Sequence, residues 1–232
     1  KILLKWNIIK TLNSISGDKK NLRKDPYRRI ARFYDVLIEP LMRVLRVIGM
    51  KLQAPAEGMR VLEVGCGTAT FLDLYERAGC LAVGIDSSSA MVDTATRKLN
   101  GRAPIHIGDA SRLPYGKRVF DLIIMSMTLH EMPSSVHPKV LKEACRVLKE
   151  SGRILIIDYH HGPPRSLLGH VSKFLNYSIE FVAGGEHFRN YRKFLTGGGL
   201  PALIDPHQLS VVNKRIVGWG NIALYLLRLK SI

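Results

Sequence analysis

Four stretches of this chain hold residues whose types and spacing suit ligand chemistry. Glu63-Val64-Gly65-Cys66-Gly67-Thr68 puts two glycines around one residue, with an acid just before them. Glycines let a backbone take positive φ and come close to a ligand, and a helix starting after them offers unpaired N–H donors. Gly84-Ile85-Asp86 places an acid 21 residues past Gly65. A carboxylate at that distance can accept hydrogen bonds from both hydroxyls of a ribose, or it can cap the helical run that begins at Ser87. Gly108-Asp109-Ala110 supplies a third carboxylate, which can accept from an adenine amino group while the Ala110 N–H meets a ring nitrogen. The fourth stretch runs from Ser126 to His130 and Glu131, and His130 is a candidate general base.

These residues act together only if strand ends bring them to one place. From residue 60 the pattern alternates short apolar runs with helical ones, which predicts a parallel sheet covered on both faces. The strands fall at 60–64, 81–85, 104–107, 120–126 and 153–158, and the helices at 69–78, 88–98 and 135–149. Ser134 or Ser135 caps the last of these helices, and Ser151-Gly152 stops it. Asp121 falls at the far end of its strand and reads as structural. Further helices are expected at 165–183 and 187–196. Runs 209–217 and 221–229 are joined by Gly218-Trp219-Gly220, a link that permits only an antiparallel hairpin. The fold class is α/β: a Rossmann-like, doubly wound seven-stranded sheet, mostly parallel with an antiparallel C-terminal hairpin. In such sheets ligands bind at the carboxyl ends of the strands, which is where all four stretches lie.

The charge is uneven. The chain has 232 residues and a formal net charge of +16. Residues 1–60 hold 14 Lys/Arg against 5 Asp/Glu, residues 61–160 hold 12 against 11, and residues 161–232 hold 9 against 3. The glycine-loop core is neutral, and the basic excess lies in its flanks. Such an excess favours anionic partners: a lipid surface, nucleic acid or an acidic substrate. Residues 1–24 read as a basic arm, and Asp25-Pro26 starts a helix that Pro40 breaks or kinks, followed by a second amphipathic helix. These two helices either lie on a membrane or cover the core. Residues 1–52 are thus an arm with cap helices, and residues 53–232 are the main domain, with a helical lid at about 161–207. Three cysteines without a CxxC pair make neither a disulfide framework nor a zinc site. No apolar run reaches the ~18 residues of a membrane span and no secretory pattern opens the chain, so a cytoplasmic location is expected, with peripheral attachment to the inner face of a membrane.

Together, Glu63 to Thr68, Gly84 to Asp86, Gly108 to Ala110 with Leu113-Pro114, and Phe120-Asp121 resemble the class I S-adenosylmethionine-dependent methyltransferases. The similarity is greatest to the small-molecule subgroup of ubiquinone/menaquinone C-methyltransferases, methyltransferase type 11. It covers about residues 27–160 and extends to the final hairpin. One departure is Thr68-Ala69-Thr70, where many members have a third glycine. The resemblance implies S-adenosyl-L-methionine as cofactor. It implies a binding set of Tyr34, Glu63, Gly65, Cys66, Gly67, Asp86, Ser87, Asp109, Ala110 and Ser126, and no metal. Gly65 and Gly67 would contact the methionine part, Glu63 would order their loop, and Tyr34-Asp35 would help close the pocket.

Rival chemistries lack their residues. There is no Tyr-x-x-x-Lys dyad, no Gly-x-Ser-x-Gly elbow and no lysine after the glycines to make a phosphate loop. A sulfonium methyl is already activated, so a base is needed only where the acceptor carries a proton. His130, Glu131 and Tyr159 are the catalytic candidates. His160 and His161 follow Tyr159 and can line the acceptor pocket, and His187 is a lid candidate. A small apolar or amphiphilic acceptor met at a membrane is expected. Nucleic-acid methylation is the second reading, against which no Asn-Pro-Pro-Tyr motif ends the fourth strand. A non-catalytic cofactor-binding module is the third.

Overall fold

The computed structural model describes residues 34–204 and 208–230, with side chains described from residue 42 onward apart from Ala183. The expected basic arm and the Asp25-Pro26 helix start lie outside the described residues, as does the side chain of Tyr34. Helix α1 (Tyr34–Leu52) enters first. It runs through Pro40 as one helix, where the sequence suggests a break or kink before a second one. Proline at that point removes one N–H donor, the one facing residue 36, and the helix continues beyond it. Leu45 of α1 is buried and Gly49 lies against Phe71, Leu155 and Ile157, while Val44 and Val47 stay exposed.

The alternating part follows as β1 (Arg60–Val64), α2 (Thr70–Arg77), β2 (Leu81–Asp86), α3 (Ser89–Leu99), β3 (Ile105–Ile107) and β4 (Phe120–Ser126). After β4 come a single 3-10 turn (Leu129–Glu131), α4 (His137–Val147) and β5 (Leu148–Tyr159). Three helices precede the final strands: α5 (Leu167–Ala183), α6 (Gly185–Thr196) and α7 (Gly199–Leu203). The hairpin β6 (Leu209–Val217) and β7 (Ile222–Leu229) ends the chain. The seven strands stand in the order β3-β2-β1-β4-β5-β7-β6. The β1, β2, β3, β4 and β5 pairings are parallel, and β7 is antiparallel to both β5 and β6. The expected fold class is the observed one.

The core follows from strands that are apolar on both faces. Leu122, Ile123, Ile124 and Met125 of β4 are fully buried, as are Ile154, Leu155 and Ile157 of β5. Burying each such side chain is worth roughly 1.5–3 kcal/mol, so these central strands anchor the core. At the far edge, Asp121 accepts from the Arg60 N–H at 2.9 Å and from Lys149 Nζ at 2.7 Å, tying β1, β4 and β5 at their starts. That is the structural place expected for it.

Two boundaries differ from the sequence reading. Helix α4 is not capped by Ser134 or Ser135; its N-cap is Val136 with no side-chain bond, and Pro138 stands in its first turn. The nearby anchor is buried His137, whose Nε2 lies 2.8 Å from the Leu129 carbonyl. At its other end α4 stops at Val147, ahead of Ser151-Gly152, because Leu148 already pairs with Phe120. The polar residues after it form an irregularity within β5, and regular pairing resumes at Arg153.

Candidate functional site

The order of strands reverses between β1 and β4, and the glycine turn leaves β1 at that point. Gly65 and Gly67 have φ of 67° and 52°, and Ala69, the N-cap of α2, has φ of 59°. The Gly65 and Cys66 N–H groups both donate to the Ile85 carbonyl, and Ala69 N–H to that of Cys66. The Cys66 thiol is buried against Gly84, which leaves its backbone to line the turn. Below the turn, buried Glu63 accepts from Leu72 N–H at 2.9 Å and so satisfies a first-turn donor of α2. Burial pushes the Glu63 carboxyl up to about 8, against the opposing pull of Arg46 and the Leu72 N–H. The Thr68-Ala69-Thr70 departure is also accounted for. Ala69 takes the left-handed backbone of the missing glycine, and Lys98 of α3 donates to Thr68 Oγ1 and Thr70 Oγ1 at 3.3 and 2.6 Å.

Asp86 ends β2 beside this turn. Its Oδ2 accepts from Gly67 N–H and its Oδ1 from Ser88 N–H, both at 2.8 Å. The cap of α3 is Ser88, which accepts from Met91 N–H at 3.1 Å, so the capping alternative for Asp86 falls to its neighbour. Ser87 is exposed between them. After β3, Asp109 is exposed and its Oδ1 accepts from Ser111 N–H at 2.7 Å, with Ala110 half-buried beside it. Half-buried Ser126 ends β4. Thr128, two residues on, packs on Gly65 so closely that a Cβ built there would lie 2.8 Å from the Thr128 Cβ.

That contact leads to a buried polar cluster. His130 is 2% exposed, and its Nδ1 lies 2.7 Å from Asp158 Oδ1. Asp158, at 0% exposure near the end of β5, also accepts from the Leu129, His130 and Tyr159 N–H groups. On its other side His130 Nε2 is 3.6 Å from Glu180 Oε1 of α5. Tyr159 Oη donates to the same oxygen at 2.7 Å, and His187 Nε2 of α6 pairs with Glu180 Oε2. Burial pushes the His130 imidazole down, but the charge and hydrogen bond of Asp158 outweigh it and hold the group up at about 9. Glu180 is held below its usual range by His187, His130 and Tyr159, although burial opposes them. The Tyr159 phenol is pushed well up by burial and by Glu180. Glu131 is half-buried, and its backbone carbonyl accepts from Asn190 Nδ2.

A family profile described as a methyltransferase domain matches residues 62–156. The demethylmenaquinone methyltransferase of Thermotoga maritima is 32% identical over 193 residues, which cover 78% of this chain and 82% of that protein. The chain belongs to the S-adenosylmethionine-dependent methyltransferases. A ubiquinone/menaquinone biosynthesis C-methyltransferase from Idiomarina loihiensis is 28% identical, over 70% of this chain and 68% of its own length. Among solved structures, a Pyrococcus horikoshii OT3 protein superposes with a TM-score of 0.57 at 21% identity, covering 92% of this chain and all of that one. That likeness concerns the fold.

The residues of this methyltransferase fit the family's cofactor. A Cβ on Gly67 would meet nothing within 4 Å, so the turn leaves an open cradle beside the Asp86 carboxylate. Gly65, Gly67 and Asp86 are joined by direct bonds around Ile85, Glu63 supports them from below, and His130 and Tyr159 meet ring to ring at 4.7 Å. Sequence reasoning did not single out Asp158 or Glu180. The signal for Asp158 was an acid directly after the apolar run 154–157, next to Tyr159; Glu180 is a single acid on its helix and carries no local signal.

Glu63 gives a prediction with a definite sign. Its folded value near 8 lies above its ordinary one, so between them the native state holds a proton that the unfolded chain releases. Stability therefore falls as pH rises through that window. Glu63→Gln keeps an acceptor for Leu72 N–H and removes the titration. Thermal melts at about pH 5 and about pH 8 should show a larger loss in the wild type than in Glu63→Gln; equal losses would count against the buried neutral acid.

Proposed function

We propose that this methyltransferase moves the cofactor's methyl group to a small apolar or amphiphilic acceptor, a quinone precursor or lipid-like molecule, at a membrane surface. The observation that carries the reading is the apolar face of α5. Leu167, Phe174 and Val182 are 87, 71 and 84% exposed on a helix that also turns Leu168, Val171 and Leu175 to solvent. Contiguous exposed apolar surface of this kind marks an interaction site. A groove of about 520 Å³ between α5 and α6, lined by Phe174, Tyr177, Phe181 and Phe188 among others, opens on that face. A ladder of rings leads inward from it. Phe181 meets Phe188, Tyr177 meets Tyr191, and Tyr191 meets Tyr159 with centroids 4.8 Å apart, next to His130. Among the described residues no helix is long and apolar enough to cross a membrane, so contact would be through this face and the basic flanks. The names of the Thermotoga and Idiomarina relatives support a quinone-type acceptor.

S-adenosylmethionine, when bound, supplies a methyl group activated on sulfonium sulfur. The Gly65–Gly67 backbone, with Cys66 between, would hold its methionine end. Asp86 with Ser87 would hold the ribose, and Asp109 with Ala110 the adenine. Ser126 and the segment to His130 would form the wall facing the acceptor. Geometry adds Glu180 to the catalytic candidates His130, Glu131 and Tyr159, since both His130 and Tyr159 bear on its Oε1. A protonated acceptor would pass its proton to this cluster, and burial there excludes water.

Methyl-labelled cofactor incubated with the protein and a total lipid extract should put label in the organic phase. The protein should also float with anionic vesicles more than with neutral ones. Label confined to protein or nucleic acid, or absence from both kinds of vesicle, would overturn the reading.

A further inference from the structure

We propose that His130, His187 and Glu180 form a binding site for one divalent transition-metal ion of the zinc type, with Glu131 as a further carboxylate. The sequence pattern gave no hint of such a site, because its members come from the 3-10 turn, α5 and α6. Ligand atoms of His130, Glu131 and His187 lie within 4.8 Å of one another. Glu180 bridges the two imidazoles, with Oε1 3.6 Å from His130 Nε2 and Oε2 paired with His187 Nε2. Donors around a tetrahedral zinc sit about 2.0–2.2 Å from it, hence roughly 3.3 Å apart. The His130–Glu180 pair is already near that spacing. His187 and Glu131 are half-buried, and their side chains would have to turn to close on it.

Two further features separate this cluster from a chance gathering of polar groups. The His130 ring is fixed from behind, since Nδ1 is bound to Asp158 and Asp158 is itself held by three backbone N–H groups. A carboxylate on one imidazole nitrogen, with the other nitrogen facing a second carboxylate, Glu180, is the outer arrangement that orients histidine ligands on metals. Charge is the second. Asp158, Glu180 and Glu131 place three carboxylates around two imidazoles, and both Asp158 and Glu180 are buried. Buried carboxylates require compensating positive charge beside them. Two ring protons can serve, and so can one divalent ion bound to the two neutral rings. The nitrogen and oxygen donor set without thiolate suits zinc, cobalt or manganese rather than copper(I).

The site lies at the carboxyl ends of β4 and β5, on the side where an acceptor would meet the methyl donor. An ion there could polarise an acceptor oxygen. That role rests on the proposed function, but occupancy does not, and it is read without any substrate.

The test uses full-length, chelator-treated protein, titrated with Zn²⁺ by calorimetry and with Co²⁺ by its visible absorption. One ion per chain is expected, with the intense cobalt bands of a low-coordinate site. His187→Ala should weaken Zn²⁺ binding about 100-fold or more, and Asp158→Asn, which removes only the outer partner, about 10–100-fold. Glu180→Gln is the second ligand variant should His187→Ala fold poorly. His160→Ala/His161→Ala, in the ring pair 5.0 Å apart outside the cluster, should bind as wild type. Absence of stoichiometric binding would overturn the site. So would unchanged affinity in both ligand variants, or a loss confined to the His160/His161 variant.

Discussion

Asp86→Ala is expected to weaken S-adenosylmethionine binding by about 100-fold or more, read by calorimetry on the purified protein. Hydrogen bonds to a carboxylate contribute about 1.5–3 kcal/mol each, so losing two to a ribose corresponds to about 3–6 kcal/mol, and each 1.4 kcal/mol is a factor of ten. The carboxylate has a second task. Its oxygens receive Gly67 N–H and Ser88 N–H, so it ties the glycine turn to the start of α3. Alanine would release both donors into a half-buried space and let the turn relax away from the cradle at Gly67. Asp86→Asn separates the two tasks, because its amide oxygen can still accept one N–H and hold part of the turn. A melting temperature near wild type in Asp86→Asn, combined with a large loss of affinity, would assign the effect to the ribose contact. His130→Ala is the contrasting variant: it should leave cofactor affinity within a few-fold and slow turnover. Normal binding by Asp86→Ala would remove Asp86 from the cofactor site.

What the sequence revealed about this site depended on how far apart its partners are in the chain. Gly65, Gly67 and Asp86 were legible because a strand, a tight turn and the next strand end follow one another at short, fixed intervals. The alternation of buried strands with amphipathic helices set their placement, and the short glycine link after Val217 set the antiparallel ending. Boundaries set by tertiary contacts were not legible. Leu148 leaves α4 for the sheet because Phe120 of β4 pairs with it, and His137 anchors the helix start that Ser134 or Ser135 was expected to cap. The buried polar cluster shows the same limit more strongly. His130 was visible as a polar residue after an apolar strand, but its meaning comes from Asp158 and Glu180, which lie 28 and 50 positions away in the chain. Glu180 alone, on a helix of exposed leucines, valines and phenylalanines, has no periodic signature. Only the packing of α5 and α6 against the sheet brings it to Tyr159 and His187.

Gly65→Ala and Gly67→Ala are expected to fail in different ways. Both glycines hold positive φ, where a Cβ costs about 1–2 kcal/mol. At Gly65 the added methyl would also meet the Thr128 side chain, with the Thr128 Cβ at 2.8 Å and Oγ1 closer still. Thr128 is buried and leads into the turn that carries His130, so it cannot simply swing away. Such overpacking adds about 1–3 kcal/mol. The sum, about 2–5 kcal/mol, should lower the melting temperature by about 5–15 °C in a domain of this size. Thr128→Ala removes the Oγ1 clash but leaves the Cβ contact, so the double variant should recover part of the loss and no more. Full recovery would mean that backbone strain at Gly65 is negligible; none would mean that the clash is. Gly67→Ala meets no atom within 4 Å, so its stability loss should stay near the strain alone. Its methyl would instead project into the open cradle, and the measurable loss should appear in S-adenosylmethionine affinity. Melting curves and cofactor titrations on the same two variants therefore separate the residue that shapes the turn from the one that keeps room for the ligand. If Gly67→Ala binds the cofactor as well as wild type does, the cradle lies elsewhere on this turn.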